Sequence, residues 1–342
     1  MANALTGLQA FPKYELLDGP TAVQELKQLN KTLNGVQVFV KRDDVMGIAL
    51  GGNKLRKLEY LLGDALQQKA ERIITVGARQ SNHARLTAAA AAKAGLSCEL
   101  FLTRTVPIDT ADYSDNGNIV LENILGARIV DLPAGTNALA LAEERAAALK
   151  AAGRNAYVMP MGGSSPTGCL GYVHCAQEIQ QQADNADLVF DYVLAPNGSS
   201  GTHAGLLAGF KALQSNTQVR TYNVLAEPTA VYNNTLEKTN ATLQLIAPQL
   251  IVTETDIAIS NDYRGEAYGI PTAAMLAAVR LLARTEGILL DPVYSGKAFA
   301  GMLEDIRQGY YKPGDRILFI LTGGTPGLFA YRNIFTPSAG EI

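Results

Sequence analysis

Short apolar runs that end in glycine-rich turns, each followed by a stretch of helical period, organise this chain. Residues 36–40 read as a strand that turns through Lys41, Arg42, Asp43 and Asp44. Residues 72–76 read as a second strand, 77–81 as a loop and 82–94 as an alanine-rich helix. Strand 97–102 follows, then a helix over 116–125 with Asp115 as its candidate cap. Strand 156–159 leads through the glycine-rich loop 162–168 into a helix reaching residue 182. Strand 192–195 leads through 197–202 into helix 203–213, and strand 316–321 leads into Thr322-Gly323-Gly324-Thr325-Pro326-Gly327. Strands that alternate with helices predict parallel sheet layered between helices. Ligands of such sheets bind beyond the carboxyl ends of the strands, which is where these glycine loops lie. No internal repeat, low-complexity segment or linker interrupts the pattern, so two domains would be joined by chain crossings and not by a hinge sequence.

The segment Gly51-Gly52-Asn53-Lys54-Leu55-Arg56-Lys57-Leu58-Glu59 carries the most chemistry. Leu55, Leu58, Leu61, Leu62, Ala65 and Leu66 follow the helical period, which puts Lys54 in or near the first turn of a helix. Two glycines just before it keep the approach free of side chains. Such an amine can attack the carbonyl of a bound ligand, or it can be an ordinary solvated lysine. In Asn197-Gly198-Ser199-Ser200-Gly201-Thr202, successive backbone N–H groups at a helix N-terminus suit a phosphate, and the hydroxyls of Ser199, Ser200 and Thr202 add donors. A tight turn without a ligand is the alternative. A P-loop motif is missing, as is a G-x-G-x-x-G loop after the first strand. Ser81 and Asn82, in Gln80-Ser81-Asn82-His83, suit either an N-cap or the capture of a substrate carboxylate. Tyr268 and Tyr294 lie in turn-like settings, where they are core fillers or site residues. His83, His174 and His203 lack the spacing of a zinc site, and no metal is expected.

Composition narrows the class without choosing the chemistry. A chain of 342 residues with 47% apolar and 18% charged content has the core of one large α/β unit or of two domains. A net charge of −3 gives no reason to expect nucleic acid or an anionic membrane as partner. Cys98, Cys169 and Cys175 form no C-x-x-C pair and read as reduced thiols. With neither a basic-then-apolar start nor a long apolar run, the expectation is a soluble, cytoplasmic protein.

Taken together, Gly51-Gly52-Asn53-Lys54, Arg56-Lys57-Leu58-Glu59, Gln80-Ser81-Asn82-His83 and Asp291-Pro292-Val293-Tyr294 resemble the pyridoxal-phosphate enzymes of the 1-aminocyclopropane-1-carboxylate deaminase and D-cysteine desulfhydrase family. The likeness runs from Val40-Lys41-Arg42-Asp43-Asp44 to Thr322-Gly323-Gly324. It implies an α/β fold of tryptophan synthase β type (fold type II), with two open αβα-layered domains and pyridoxal 5'-phosphate in the cleft between them. The larger domain would comprise 1–50 and 166–342, and the smaller, inserted one 51–165. The resemblance further implies that Lys54 forms the Schiff base with the cofactor and that Asn82 bonds its phenolic oxygen. Ser81 and its helix terminus would receive the substrate carboxylate. Gly198, Ser199, Ser200, Gly201 and Thr202 would hold the phosphate, and Tyr268 and Tyr294 would line the substrate side of the ring. A homodimer acting on a small amino acid is the implied assembly.

Substrate choice within the family turns on two positions. Ring-opening deaminases carry glutamate after the Val-Tyr pair and leucine before the final Gly-Gly, where this chain has Ser295 and Thr322. A carboxylate beside the pyridine nitrogen keeps that nitrogen protonated and strengthens the electron sink, whereas a hydroxyl does not. Ser295 and Thr322 therefore favour β-elimination from D-cysteine to pyruvate, hydrogen sulfide and ammonia. The rival readings are elimination of sulfite from L-cysteate or chloride from β-chloroalanine, ring-opening deamination, and a non-catalytic protein that binds a phosphorylated metabolite. Thr325 departs from the family, which usually has alanine there.

Overall fold

A computed structural model describes residues 5–336; positions 1–4 and 337–342, the outer ends of the expected larger domain, lie outside the described residues. Among the described residues ten strands run in chain order: β1 (Val23–Glu25), β2 (Gln37–Lys41), β3 (Arg72–Ala78), β4 (Ser97–Thr103), β5 (Arg128–Leu132), β6 (Ala156–Met159), β7 (Tyr192–Asn197), β8 (Gln218–Asn223), β9 (Ala258–Ser260) and β10 (Arg316–Ile320). They form two sheets, one of six strands in the order β1-β2-β10-β7-β8-β9 and one of four in the order β5-β4-β3-β6. Among the described residues only the β1–β2 pairing is antiparallel. Every strand of the smaller sheet comes from the chain between β2 and β7.

Strand alternation explains why each sheet is covered twice. In the larger sheet Val38, Val40, Ile317 and Phe319 pack with helices Ala273–Glu286 and Ser295–Arg307. Phe39, Val193, Leu318 and Ile320 point the other way, onto helices Pro166–Asn185 and Gly201–Ala212. In the smaller sheet Ile73, Leu100 and Leu102 pack with helices Lys54–Gln67 and Asn82–Lys93. Ile74, Val76 and Phe101 meet helix Ala138–Ala151 on the opposite face. Both sheets are thus αβα layers, as expected from the resemblance.

A buried charge cluster ties helix Lys54–Gln67 to the larger sheet. Arg56 donates to both carboxylate oxygens of Asp43 at 2.8 Å and to Glu178 Oε2 at 2.8 Å. Lys41 Nζ also pairs with Glu178, and Tyr172 donates its hydroxyl to Asp43 at 2.7 Å. Two cations face two carboxylates, so the burial of each charge is compensated.

One expected element is corrected. The helix expected over 116–125 with Asp115 as cap is Asn118–Ile124, its N-cap is Gly117 with φ 62°, and no side chain caps it. Asp115 instead ends a separate short helix, Ala111–Asp115. The cause is Gln80, whose Nε2 donates to the carbonyls of Tyr113 at 2.7 Å and Asn116 at 2.9 Å. The resulting turn needs a positive φ, and a Cβ at Gly117 would lie 2.8 Å from Gln80 Oε1 and from the Pro326 carbonyl.

Candidate active site

Beyond the carboxyl ends of β3, β7 and β10, a cavity of about 400 Å³ opens between the two sheets. Lys54, Ser81, Asn82, Gly198, Ser199, Ser200, Thr202, Tyr268, Tyr294 and Thr322 all line it. Residues far apart in sequence are thereby brought to one place. Gly201 and Ser295 are not part of the lining. Gly201 lies directly behind the wall, where a Cβ would meet Ser164 Oγ at 2.5 Å and Lys57 Nζ at 2.8 Å. Ser295 is buried and turned toward Asp291: its Oγ donates to Asp291 Oδ1 at 2.6 Å. Thr325 precedes helix Pro326–Ala330 and makes no side-chain cap there.

Lys54 is the first residue of its helix and lines the cavity. Gly51 at φ 64° and Gly52 at φ 132° make the sharp approach, and a Cβ at Gly51 would meet the Asp44 carbonyl at 2.5 Å. Asn53 locks the turn by donating its N–H to the Thr322 carbonyl at 3.1 Å and its side chain to Thr202 Oγ1 at 3.1 Å. Asn53 Oδ1 accepts from Lys54 Nζ at 2.9 Å. Burial, reinforced by the nearby Lys57 ammonium, holds Lys54 well below the ordinary lysine range, against an opposing pull from Asp291. A neutral, fixed amine is the form that attacks a carbonyl.

The loop after β7 forms an anion cradle. Ser200 is left-handed at φ 67°, and helix Gly201–Ala212 begins without a side-chain cap. The first-turn N–H groups of Gly201, Thr202 and His203 therefore have no partner inside the helix and, with its dipole, suit a phosphate. Ser199 Oγ sits 2.7 Å from Ser164 Oγ, which accepts from Lys57 Nζ at 2.9 Å. Lys57 also donates to the Gly162 carbonyl at 3.2 Å, and burial lowers its pKa to about 8. Sequence reading gave Lys57 no role. The residue types around it, Asn53, Lys54, Arg56 and Glu59 among them, give no local signal that this lysine is buried.

The other wall comes from the turn after β3. Ser81 caps helix Asn82–Lys93, its Oγ accepting from the Ala84 N–H at 3.1 Å. Capping and cavity lining thus coexist in one side chain. A Cβ at Gly77 would strike Ser81 Oγ at 2.5 Å, so that position must stay small. Asn82 accepts at Oδ1 from Asn118 Nδ2 at 3.1 Å. His83 bonds Thr75 Oγ1 through Nε2 at 2.8 Å, and burial and the two lysines nearby depress its pKa. Across the cavity the Tyr268 and Tyr294 hydroxyls meet at 2.5 Å. Burial pushes Tyr268 up to about 12 and raises Tyr294 further, so both are protonated at neutral pH.

An uncapped helix N-terminus, a desolvated lysine and a fixed asparagine amide thus share one cavity, and a Cβ at Gly201 would crowd Ser164 and Lys57 behind its wall. Residues 14–323 match the family model of pyridoxal-phosphate dependent enzymes, and the chain belongs to that family. It is 43% identical over 329 residues to a D-cysteine desulfhydrase of Klebsiella pneumoniae strain 342, covering 96% of this chain and 98% of that one. It is 41% identical over 330 residues to a D-cysteine desulfhydrase of Serratia proteamaculans, with the same coverage of 96% and 98%. Among solved structures it superposes on a homologue of 1-aminocyclopropane-1-carboxylate deaminase with a TM-score of 0.88 and 36% identity, covering 98% of each chain. The fold is that of the fold type II pyridoxal-phosphate enzymes.

Proposed function

We propose that this chain catalyses α,β-elimination on D-cysteine, giving pyruvate, hydrogen sulfide and ammonia. The observation that carries the reading is the meeting of Lys54 with the 198–202 cradle in a cavity whose remaining wall, at Thr322, Tyr268 and Tyr294, bears hydroxyls and no carboxylate. The similarity to the two desulfhydrases supports the same substrate. Bound pyridoxal phosphate supplies an electron sink for the pair left when the Cα–H bond breaks.

The chain's own groups would act around that sink. The 198–202 loop and Lys57 would hold the phosphate, and Asn82 would donate to the phenolic oxygen. Ser81 and the N-terminus of its helix would receive the substrate carboxylate. Lys54, neutral at Nζ, would accept the α-proton, and the protonated Tyr268–Tyr294 pair would donate toward the departing thiolate. Loss of the α-proton and of thiolate leaves an enamine, which takes up water outside the site and yields pyruvate and ammonia. Among the described residues Lys54 is the single lysine or arginine on the cavity wall, which leaves a sulfonate side chain such as that of L-cysteate without a counter-charge.

Three coarser features complete the reading. The chain would divide into a larger unit, 1–50 with 166–342, and an inserted smaller unit, 51–165; the separate four-stranded sheet supports this. It would form a homodimer, supported by Val120, Ile124 and Phe329, which stay exposed on two adjoining helices. A cytoplasmic location is supported by three buried free cysteines, and no helix among the described residues is long and apolar enough to cross a membrane. Assay of sulfide, sulfite, pyruvate and 2-oxobutanoate over D-cysteine, L-cysteine, L-cysteate, β-chloroalanine and the cyclopropane amino acid tests the proposal. Sulfide and pyruvate from D-cysteine are expected, and efficient 2-oxobutanoate formation with D-cysteine ignored would overturn it.

A further inference from the structure

The side-chain amide of Asn82 has one accepting and one donating end, and which end faces the cavity is decided outside it. Arg85, fully buried, donates Nε–H to Asn118 Oδ1 at 2.8 Å. Its two terminal nitrogens donate to the carbonyls of Ala49 and Gly51 in the turn that delivers Lys54. Asn118 is fully buried as well; its Nδ2 donates to Asn82 Oδ1 at 3.1 Å, and its N–H donates to Gln80 Oε1 at 3.0 Å. A guanidinium can donate but cannot accept, so Asn118 must turn its oxygen to Arg85 and its amide N–H to Asn82. Asn82 must then turn its oxygen to Asn118, which leaves its own Nδ2 for the cavity. Gly324 leaves the room for this: a Cβ there would lie 2.7 Å from Asn82 Nδ2.

The charge at the head of this chain is not cancelled by an ion pair. Among the described residues no carboxylate pairs with Arg85, and the nearby Glu122 is fully buried with no hydrogen-bond partner on either oxygen. Burial pushes Glu122 well above the usual carboxylate range and so favours its neutral form. Burial also lowers Arg85 to about 10, which keeps it protonated at neutral pH. Each donor in the sequence Arg85, Asn118, Asn82 therefore polarises the next in one direction.

We propose that Arg85 and Asn118 are positioning residues for the cofactor, fixing Asn82 as a hydrogen-bond donor into the cavity while the same guanidinium holds the turn before Lys54. The inference rests on the reading of Asn82 as a ligand of pyridoxal phosphate. The test uses the purified holoenzyme as Asn82→Ala, Asn118→Ala and the double variant, with the melting temperature recorded throughout. The readouts are the visible absorbance maximum of the bound cofactor and the Kd for pyridoxal phosphate on reconstitution. Asn118→Ala is expected to shift the absorbance in the same sense as Asn82→Ala and to raise Kd by at least about threefold. The double variant should be no worse than Asn82→Ala alone, because a residue that acts through another adds nothing once that other is gone. Wild-type absorbance and Kd in Asn118→Ala, even with a lowered melting temperature, overturn the proposal, as do fully additive effects in the double variant. Arg85→Lys keeps the charge but cannot span Asn118 and both carbonyls, and it serves as the second probe if Asn118→Ala does not fold. An unchanged Asn82→Ala sinks Asn82 as a ligand together with the relay, whereas a shift in Asn82→Ala without one in Asn118→Ala sinks the relay only.

Discussion

Ser295 and Asp291 close a small ring of hydrogen bonds: Ser295 Oγ donates to Asp291 Oδ1 at 2.6 Å, and the Asp291 N–H donates to Ser295 Oγ at 2.9 Å. The same carboxylate accepts from the N–H groups of Val293, Tyr294 and Ser295, so it fixes the turn that presents Tyr294. The contrast between Ser295 and the glutamate of ring-opening deaminases acquires a physical content here. A glutamate at this position would place a second carboxylate against a buried one.

Ser295→Glu should therefore lower stability by about 3 kcal/mol, the scale of an uncompensated buried charge. Denaturant titration measures it. The double change Ser295→Glu with Thr322→Leu should weaken sulfide release from D-cysteine and introduce some 2-oxobutanoate formation from the cyclopropane amino acid. Undiminished sulfide release by the double variant would contradict the role given to these two positions.

Lys54→Ala should abolish turnover and remove the covalent link to the cofactor. Borohydride reduction of the holoenzyme followed by peptide mapping should place the label on Lys54. Lys41 is committed to Glu178, and Lys297 to the carbonyls of Arg264 and Ala267, so neither is free to carry it. Label on either of them, or on Lys57, would refute the assignment.

Lys57→Met should raise the Kd for pyridoxal phosphate at least about tenfold, roughly 1.4 kcal/mol, through loss of a cation behind the cradle. The substrate KM of the saturated enzyme should move much less. Equal losses in both would mean that Lys57 supports the fold of loop 162–164 and not the phosphate.

Ser81→Ala removes an N-cap and a cavity hydroxyl together. Stability should fall by about 1 kcal/mol from the cap. A drop in kcat/KM of at least about tenfold, carried mainly by KM, should appear in addition if the helix terminus receives the carboxylate. A lowered melting temperature with unchanged kinetics would leave Ser81 as a cap only.

Acid should expose the Asp43–Arg56–Glu178–Lys41 cluster. Burial opposes ionisation of Glu178, but Arg56 and Lys41 outweigh it and hold its pKa below the ordinary value. A depressed carboxylate contributes stability that is complete above its unfolded pKa, about 4.3, and is lost as pH falls through the native value. Stability measured from pH 5 downward should thus fall less steeply in Glu178→Gln. At neutral pH that variant should be weaker than wild type by about 3 kcal/mol, because two buried cations then share one carboxylate. Parallel pH profiles of the two proteins would contradict the assignment.

Much of this protein is determined by local pattern. The apolar runs at β2, β3, β4, β7 and β10 and the glycine turns after β7 and β10 are legible because a buried parallel strand is largely apolar and its exit must turn sharply. Lys54, the 197–202 loop and Ser81 could be singled out for the same reason: helix N-termini and positive-φ turns leave a mark in residue type. Strands β1, β5, β8 and β9 escaped, being short or, in Gln218–Asn223, rich in polar residues that only their neighbours satisfy. What the tertiary structure alone decided is which distant groups meet. Gln80 moved the start of helix Asn118–Ile124 away from Asp115, and Lys57 came to lie behind the 198–202 loop, about 140 positions further along the chain. Ser295 turned from the cavity to Asp291, and Arg85 reached Asn82 through Asn118. Such contacts depend on how two sheets pack across a cleft, and sequence periodicity fixes the faces of each sheet but not the register between them.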